Sequence, residues 1–423
     1  MRNLIQALFD KVEITRDLIM LLIIGGLYSL GIFLSNTFVN VYLWKQSGDY
    51  LTIAMYNLAI FIFQPATFIL AGKIAKKVDR IIVLRLGVIF LSIFFLNVLI
   101  IGEKSAYFNF MLGSLLGIGY GFYWLAFDVL TFEITEPDTR DFFNGFLGVL
   151  ESFGGMIGPI LAGFIISVMT ANTGYTTIFS ISFILFILAV VGSFFLERRQ
   201  AEGHFQFLLI LKERKKNSNW NKTLYAHISQ GLREGIFLFV ITIWVFLTTK
   251  SEFALGMFNL FLSGLSFIFY FVATKVIKPT LRKKAIFIGG LVLFVSIFII
   301  IFEISYWHLM AYAIVIGIAY PIINVPYASM TYDVIGQARF AKELRIEYIV
   351  VRELFVNIGR VISISIFIIT LHFFPTEIII PYLLAIFGAG YFLIYFFMHK
   401  VQLEGNNDKE VNVTDQLSDE KNR

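Results

Sequence analysis

Apolar residues along this chain fall in long blocks separated by short polar stretches. The blocks lie at about 18–43, 51–72, 81–101, 106–131, 143–169 and 175–196. After a longer polar stretch they resume at about 227–249, 253–275, 285–304, 308–332, 347–373 and 378–398. A hydrocarbon layer about 30 Å thick takes roughly 20 residues of helix to cross. The pattern predicts twelve spanning helices in an all-α membrane protein, arranged as two six-helix bundles.

The polar stretches alternate in charge. Those at 73–80, 197–226 and 275–284 are strongly basic, and the N-terminus and the 333–346 loop moderately so. The intervening loops carry only Lys45, Lys104 and Lys250, while the 132–142 loop mixes Arg140 with acids. Lys and Arg concentrate on the cytoplasmic side of membrane proteins. Both termini and the basic loops are therefore expected in the cytoplasm, in a multi-pass protein of the cell membrane. No cleaved signal peptide is expected, because the N-terminus lacks a short apolar segment ending in small residues. Within the 197–226 stretch, "HFQFLLILKERKK" reads either as a short helix on the bilayer surface or as ordinary linker. The tail after residue 400 is polar and reads as disordered.

The two halves repeat. Shifted by 202 positions, "MYNL" (55–58) meets "MFNL" (257–260), Lys73 meets Lys275, Arg80 meets Arg282 and Gly87 meets Gly289. Farther on, "ESF" (151–153) meets "ELF" (353–355); a shift of 200 pairs Gly117 with Gly317 and Glu133 with Asp333. Matches in one order along five helices indicate a duplicated unit. The expected organisation is a bundle at 1–196, a cytoplasmic linker at 197–226, a second bundle at 227–400 and a tail at 401–423.

Composition narrows the class further. Of 423 residues, 58% are hydrophobic and 15% charged, against the quarter that solvates a soluble surface. There is no cysteine, which excludes disulfides, thiolate metal sites and Cys nucleophiles. The five histidines fall at helix ends or in loops, with no metal-ligand spacing, so neither a metal nor an enzyme is expected. No phosphate-cradling loop is present, which argues against a self-contained ATP pump. No cofactor is expected. The net charge of +5 tracks the loops and does not point to nucleic acid.

Two bundles of six helices around a polar linker resemble the major facilitator superfamily over nearly the whole chain. That family carries a signature between its second and third helices, roughly G-x-L-A-D-R-x-G-R-K. Gly72, Ile74, Ala75, Lys77 and Arg80 match it, with Lys76 in place of the Asp and Asp79 in place of the second Gly. The antiporter signature of its fifth helix, G-x8-G-x3-G-P-x2-G-G, is matched by Gly145, Gly154, Gly158, Pro159 and Gly163, with Ala162 for one Gly. In the family that signature accompanies export. A fourth-helix R-x-x-x-G signature, linked there with proton transfer, is half present: Gly113 stands in place of the Arg before Gly117.

Charges inside the apolar blocks need individual accounts, because each costs at least a few kcal/mol unless paired or wet. Glu151 and Glu353 occupy equivalent places near the cytoplasmic ends of helices five and eleven. The resemblance implies that each basic loop packs on the other half's fifth-type helix. Lys73 or Lys76 is then expected to grip Glu353, and Lys275 or Lys278 to grip Glu151, as a cytoplasmic gate; interfacial snorkelling of the lysines is the alternative. Arg80 with Asp128 or Glu133, and Arg282 with Asp333, form a second, bracing set. Arg233, Glu234 and Arg360 have no charged twins in the first half. Arg360 lies about thirteen residues into its helix, roughly 20 Å deep, so it must face protein or a cavity, with Glu234 its nearest free acid. Glu234, Arg360 and Arg233 are the candidate coupling or substrate residues, with Asp128 the second choice as proton carrier.

The resemblance implies a cavity lined by the first, fourth, seventh and tenth helices. Their polar and aromatic residues include Tyr28, Asn36, Asn40, Tyr123, Trp124, Trp244, Asn324 and Tyr327. Pro321 and Pro326 are expected to break helix ten there. The resulting expectation is a secondary transporter of a small molecule working as a monomer in the bilayer by alternating access, exporting in exchange for protons. The alternative is a nutrient or sugar importer of the same fold.

Overall fold

The structure, a computed structural model, describes residues 15–134, 137–197, 203–341 and 343–403. The N-terminus, most of the tail, the Glu133 side chain and the surroundings of Gly145 lie outside the described residues, and with them the expectations placed there.

Twelve helices of spanning length are described. The first half holds α1 (Arg16–Ser47), α2 (Tyr50–Lys77), α3 (Arg80–Ile101), α4 (Asn109–Ile134), α5 (Pro137–Val168) and α6 (Ala171–Ser193). The second holds α7 (Ser218–Thr249), α8 (Glu252–Val276), α9 (Arg282–Val295 and Phe298–Ile301), α10 (Tyr306–Gly336), α11 (Arg345–Phe373) and α12 (Thr376–Gly388 and Gly390–Met398). α3 and α4 are joined by a single 3₁₀ segment, so 80–131 forms one apolar run of 52 residues. Small polar residues start several helices by accepting orphan backbone N–H groups: Asp79 from Ile81 at 2.8 Å, Asn217 from Trp220 at 2.9 Å and Ser251 from Ala254 at 3.2 Å.

The duplicated sequence folds into duplicated packing. In the first half α2 and α3 pack on α4, α1 packs on α5 and α6, and α3 packs on α6; the same partnerships, six helices on, build the second half. The halves meet through α5 on α8 and α2 on α11, which are each other's symmetry copies. The repeat extends to the turns. Gly48 ends α1 with φ 63°, and its counterpart Lys250 ends α7 with φ 52°.

Two expectations are corrected. α7 begins at Ser218, inside the stretch read as linker, and its first turns carry the buried Trp220 and Leu224. α10 runs unbroken through Pro321 and Pro326; the interruptions fall at Ser296–Ile297 in α9 and Ala389 in α12. The linker's short helix is Phe207–Glu213. It buries Ile210 completely and packs on α11, and the preceding Phe205 ring lies against Gly72 of α2. The end of the molecule carrying this helix is called the linker face below, and the opposite end the far face.

Candidate functional site between the two bundles

Between the bundles, nearer the linker face, lie three adjoining cavities of about 390, 300 and 420 Å³. The first is walled by Trp124, Phe127 and Leu147 from one half and by Tyr332, Ile335 and Ile349 from the other, with Asp128 at its side. The second shares Trp124, Asp128 and Tyr332 with it and adds Gln64, Arg352, Glu353 and Arg360. The third runs into the second bundle along His227, Gln230, Tyr270, Asn324 and Tyr327.

The expected Glu234–Arg360 pair is formed. Arg360 donates to Glu234 Oε2 from Nε at 3.0 Å and from Nη2 at 2.6 Å. Helix packing explains why the side chains meet. α7 and α11 cross at Gly231, Gly235 and Gly359, where a Cβ would collide with the facing backbone, so the axes approach closely enough for side chains one turn away to bond. Glu234 Oε1 accepts from Gln230 Nε2 at 2.9 Å and from the Tyr391 hydroxyl at 2.8 Å, while Arg360 Nη1 donates to Asn357 Oδ1 at 3.2 Å. Tyr391 and Tyr320 share a 2.6 Å hydrogen bond, and His227 Nδ1 lies 3.0 Å from Gln230 Oε1 and 2.7 Å from the Tyr327 hydroxyl. The carboxylate of Glu234 is saturated. On its cavity side Arg360 lies over the Phe61 ring of α2, 4.9 Å from the centroid, so the network reaches across to the first half.

Gln230, Tyr391 and Asn357 were missed by sequence reasoning. Gln230 stands one turn before Glu234, a spacing visible in the sequence. Tyr391 comes from α12, which nothing in the sequence marks. Arg233, by contrast, faces away from the cavities. It is 5% exposed, donates to the Tyr312 hydroxyl at 3.2 Å and sits over the Phe237 ring at 4.4 Å.

Asp128 stands apart from this order. Among the described residues it makes no hydrogen bond and no ion pair; Arg80 does not brace it and is engaged elsewhere. The charges it senses are those of Arg352 and Glu353 across the interface, and these two pair with each other at 2.9 Å. Gly113, in place of the family's Arg, faces the α2 backbone at Tyr56 so closely that no side chain would fit.

The expected gate pairs are rearranged. Lys76, 7% exposed, binds Glu347 Oε1 at 2.6 Å and the Glu343 carbonyl at 3.0 Å, not Glu353. Glu353 lies six residues farther along α11, about 9 Å deeper, and is held by Arg352. Glu347 also accepts the Gln206 backbone N–H at 3.0 Å, so the linker is fastened to the same pair. Lys73 is exposed, and Lys275 is exposed with its ammonium 4.2 Å from the Phe271 ring centroid. Neither reaches an acid among the described residues, and Glu151 has no ion-pair partner there. The repeat explains the asymmetry: the counterpart of Glu347 is Gly145, which offers Lys278 no carboxylate. The bracing pair Arg282–Asp333 forms at 2.6 Å.

The far face holds an ion pair that sequence reasoning did not find. Lys45, at the end of α1, binds Glu252, at the start of α8, at 2.8 Å, and Glu252 also accepts the Tyr175 hydroxyl at 3.1 Å. Below it α5 and α8 touch backbone to backbone. A Cβ on Gly163 would lie 2.5 Å from the Glu252 carbonyl, and one on Gly256 would lie 2.6 Å from the Pro159 carbonyl.

Of the expected lining residues, Trp124, Asn324 and Tyr327 face the cavities. Tyr28 and Tyr123 are buried and stack on each other with centroids 3.8 Å apart, and Asn40 accepts from Asn57 at 2.9 Å within the first bundle. Trp244 is buried, and Asn36, half-buried, lies outside the three cavities.

Comparison with known proteins agrees with this architecture. The chain is 54% identical over 407 residues to the uncharacterized protein YqgE of Bacillus subtilis (strain 168), covering 96% of this chain and 95% of that one. It is 56% identical over 198 residues to an uncharacterized protein in the sodM 3' region of Geobacillus stearothermophilus, covering 47% of this chain and 92% of that one. Its fold is similar to that of the human organic anion transporter MFSD10 (TETRAN), with a TM-score of 0.65, 13% identity, and coverage of 90% and 99% of the two chains. The profile of the Major Facilitator Superfamily matches residues 21–363, and this multi-pass membrane protein belongs to that family of transporters.

Proposed function

We propose that the protein exports a small amphipathic molecule by alternating access, in exchange for protons, with the linker face in the cytoplasm. The observation that carries this reading is the pair of latches joining the bundles on opposite faces, Lys76–Glu347 and Lys45–Glu252, with the cavities between them. A rocking transporter needs contacts that close one side while the other opens. The glycine contacts of α5 on α8 supply a bearing, and the export signature they belong to favours outward transport. The basic linker supports the orientation. Proton exchange falls to Asp128, the unpaired cavity carboxylate, while the Glu234–Arg360 network anchors the second bundle's wall. Import of a nutrient by the same fold is the competing direction.

Flux decides between them. Metabolites and drug susceptibility are compared in cells lacking and cells overexpressing the protein. Export gives resistance and depletion of the solute on overexpression, and import gives the reverse; no change in any solute would oppose transport itself. A cysteine at residue 215 of this Cys-free chain tests orientation. Its labelling by an impermeant thiol reagent in intact cells would overturn the cytoplasmic assignment.

A further inference from the structure

We infer that the linker-face end of α9 docks an anionic phospholipid, its headgroup on Lys278, Lys283 and Lys284 and its acyl chains along the outer face of the helix. The site lies outside the inter-bundle cavities and is independent of the direction of transport. The duplication singles it out. Shifted by 202 positions, Asp79, Ile81 and Ile82 at the start of α3 meet Leu281, Lys283 and Lys284 at the start of α9. Asp79 caps α3, whereas α9 has neither a capping side chain nor an acid in its first turn and sets three consecutive cations there, Arg282, Lys283 and Lys284. Cations at a helix N-terminus oppose its dipole, so this turn gains from an external anion.

Little in the protein answers these charges. Lys283 donates to the His399 and Val401 carbonyls at 2.9 and 2.8 Å, and Lys222 on α7 donates to the Lys400 carbonyl at 2.9 Å. Carbonyls satisfy the ammonium hydrogens but cancel no charge. The cleft beside them has a single acid among the described residues, Asp333, and Arg282 binds it at 2.6 Å. Lys278 and Lys284 are exposed and meet no acid among the described residues. The cleft itself, about 780 Å³ between the start of α9, the end of α10 and residues 401–403, has room for a headgroup.

The surface below the lysines marks the partner as a lipid and not a soluble anion. Phe287, Ile288 and Leu291 follow Lys284 at spacings of three, four and seven, which puts all four on one face of α9, and all three apolar residues are exposed. The stripe begins one turn, about 5 Å, below the lysines. Beside it α12 adds an aromatic layer: Phe287 lies 5.0 Å from the Tyr395 ring, edge to face, and 5.7 Å from Phe392, and Phe396 is exposed. A phospholipid has the same order, charge above hydrocarbon. A zwitterionic headgroup brings its own cation toward the lysines and an anionic one does not. Each lysine near an anionic lipid surface is worth roughly fivefold in binding.

The test is native mass spectrometry of the purified full-length protein, stripped of lipid in detergent and titrated with dioleoylphosphatidylglycerol or dioleoylphosphatidylcholine. The first phosphatidylglycerol should bind roughly tenfold more tightly than the first phosphatidylcholine. Lys278→Gln combined with Lys284→Gln should abolish that preference with an unchanged melting temperature, because neither lysine holds another described residue. Lys73→Gln combined with Lys77→Gln removes the same charge from the same face of the other bundle and should leave the preference intact. Ile288→Asn keeps every lysine and breaks the apolar stripe, and should weaken binding of phosphatidylglycerol severalfold. Inorganic phosphate in large excess should not displace the lipid. Equal affinity for the two lipids, an equal loss in the two lysine pairs, or displacement by inorganic phosphate would overturn the inference.

Discussion

The ammonium of Lys76 on α2 lies 2.6 Å from the carboxylate of Glu347 on α11, joining the two bundles where the linker crosses them. The family's signature places an acid at this loop position. Here the basic residue takes the loop and the acid stands at the start of the facing helix, where negative charge is also favoured by the helix dipole.

Removing one partner leaves the other charged and buried, which costs roughly 3–5 kcal/mol. Glu347→Gln and Lys76→Ala should each loosen the linker face, and a cysteine at position 335, in the cavity, should react faster with a thiol reagent in membranes. Lys76→Glu combined with Glu347→Lys should recover much of the protection. Equal labelling in all four proteins would show that the pair does not close this face.

Lys45 and Glu252 make the opposite prediction. Glu252→Gln should raise reactivity of a cysteine at position 246 on the far face and leave the linker-face probe at 335 slower than in the natural chain. Tyr175→Phe removes one hydrogen bond to Glu252, worth about 1 kcal/mol, and should shift both probes in the same direction but less.

Glu234 and Asp128 separate a structural carboxylate from a working one. Glu234→Gln breaks a saturated network and strands Arg360, so it should lower the melting temperature clearly, whereas Asp128→Asn should leave it within a degree or two. For flux the order reverses. Asp128→Asn should lose movement against a gradient and keep exchange, and Glu234→Gln, expressed at natural level, should still move solute uphill. Loss of uphill flux in Glu234→Gln alone would make Glu234 the coupling residue.

The α5–α8 bearing tolerates no side chain at Gly163. Gly163→Ala would press a methyl group on the Glu252 carbonyl, backbone that cannot rotate aside, and should separate the helices. Transport should fall steeply, and a disulfide between cysteines at 155 on α5 and 263 on α8, where a Cβ at Gly155 would lie 3.5 Å from that of Ser263, should form more slowly than in the parent chain.

At the turn after α7, Lys250 holds φ 52°, a left-handed conformation its counterpart Gly48 adopts without a Cβ. Lys250→Gly should raise thermal stability slightly, by up to about 1 kcal/mol, and Gly48→Lys should lower it by a similar amount. Melting curves in detergent decide it.

How much of this was legible beforehand follows from the range of each interaction. Block lengths of apolar residues identify spanning helices because the bilayer's thickness is a local constraint on each segment. The repeat carried more, since a duplicated chain must pack in duplicate: α2 on α4 and α8 on α10, Gly48 and Lys250 at equivalent turns, Arg282 beside Asp333. Glu234 and Arg360 were found by elimination, being charges at a depth where only each other could answer. What the sequence left open was rotation and pairing across helices. In lipid the outside of a helix is as apolar as its inside, so hydrophobicity does not say which face turns inward. Tyr28 and Arg233 were therefore expected at the cavity and are packed within a bundle, while Tyr391 and Gln230 joined the network unannounced. Lys76 chose Glu347 over Glu353, and Lys45 found Glu252, because such pairs depend on ångström-scale depth and azimuth that only the assembled bundles set.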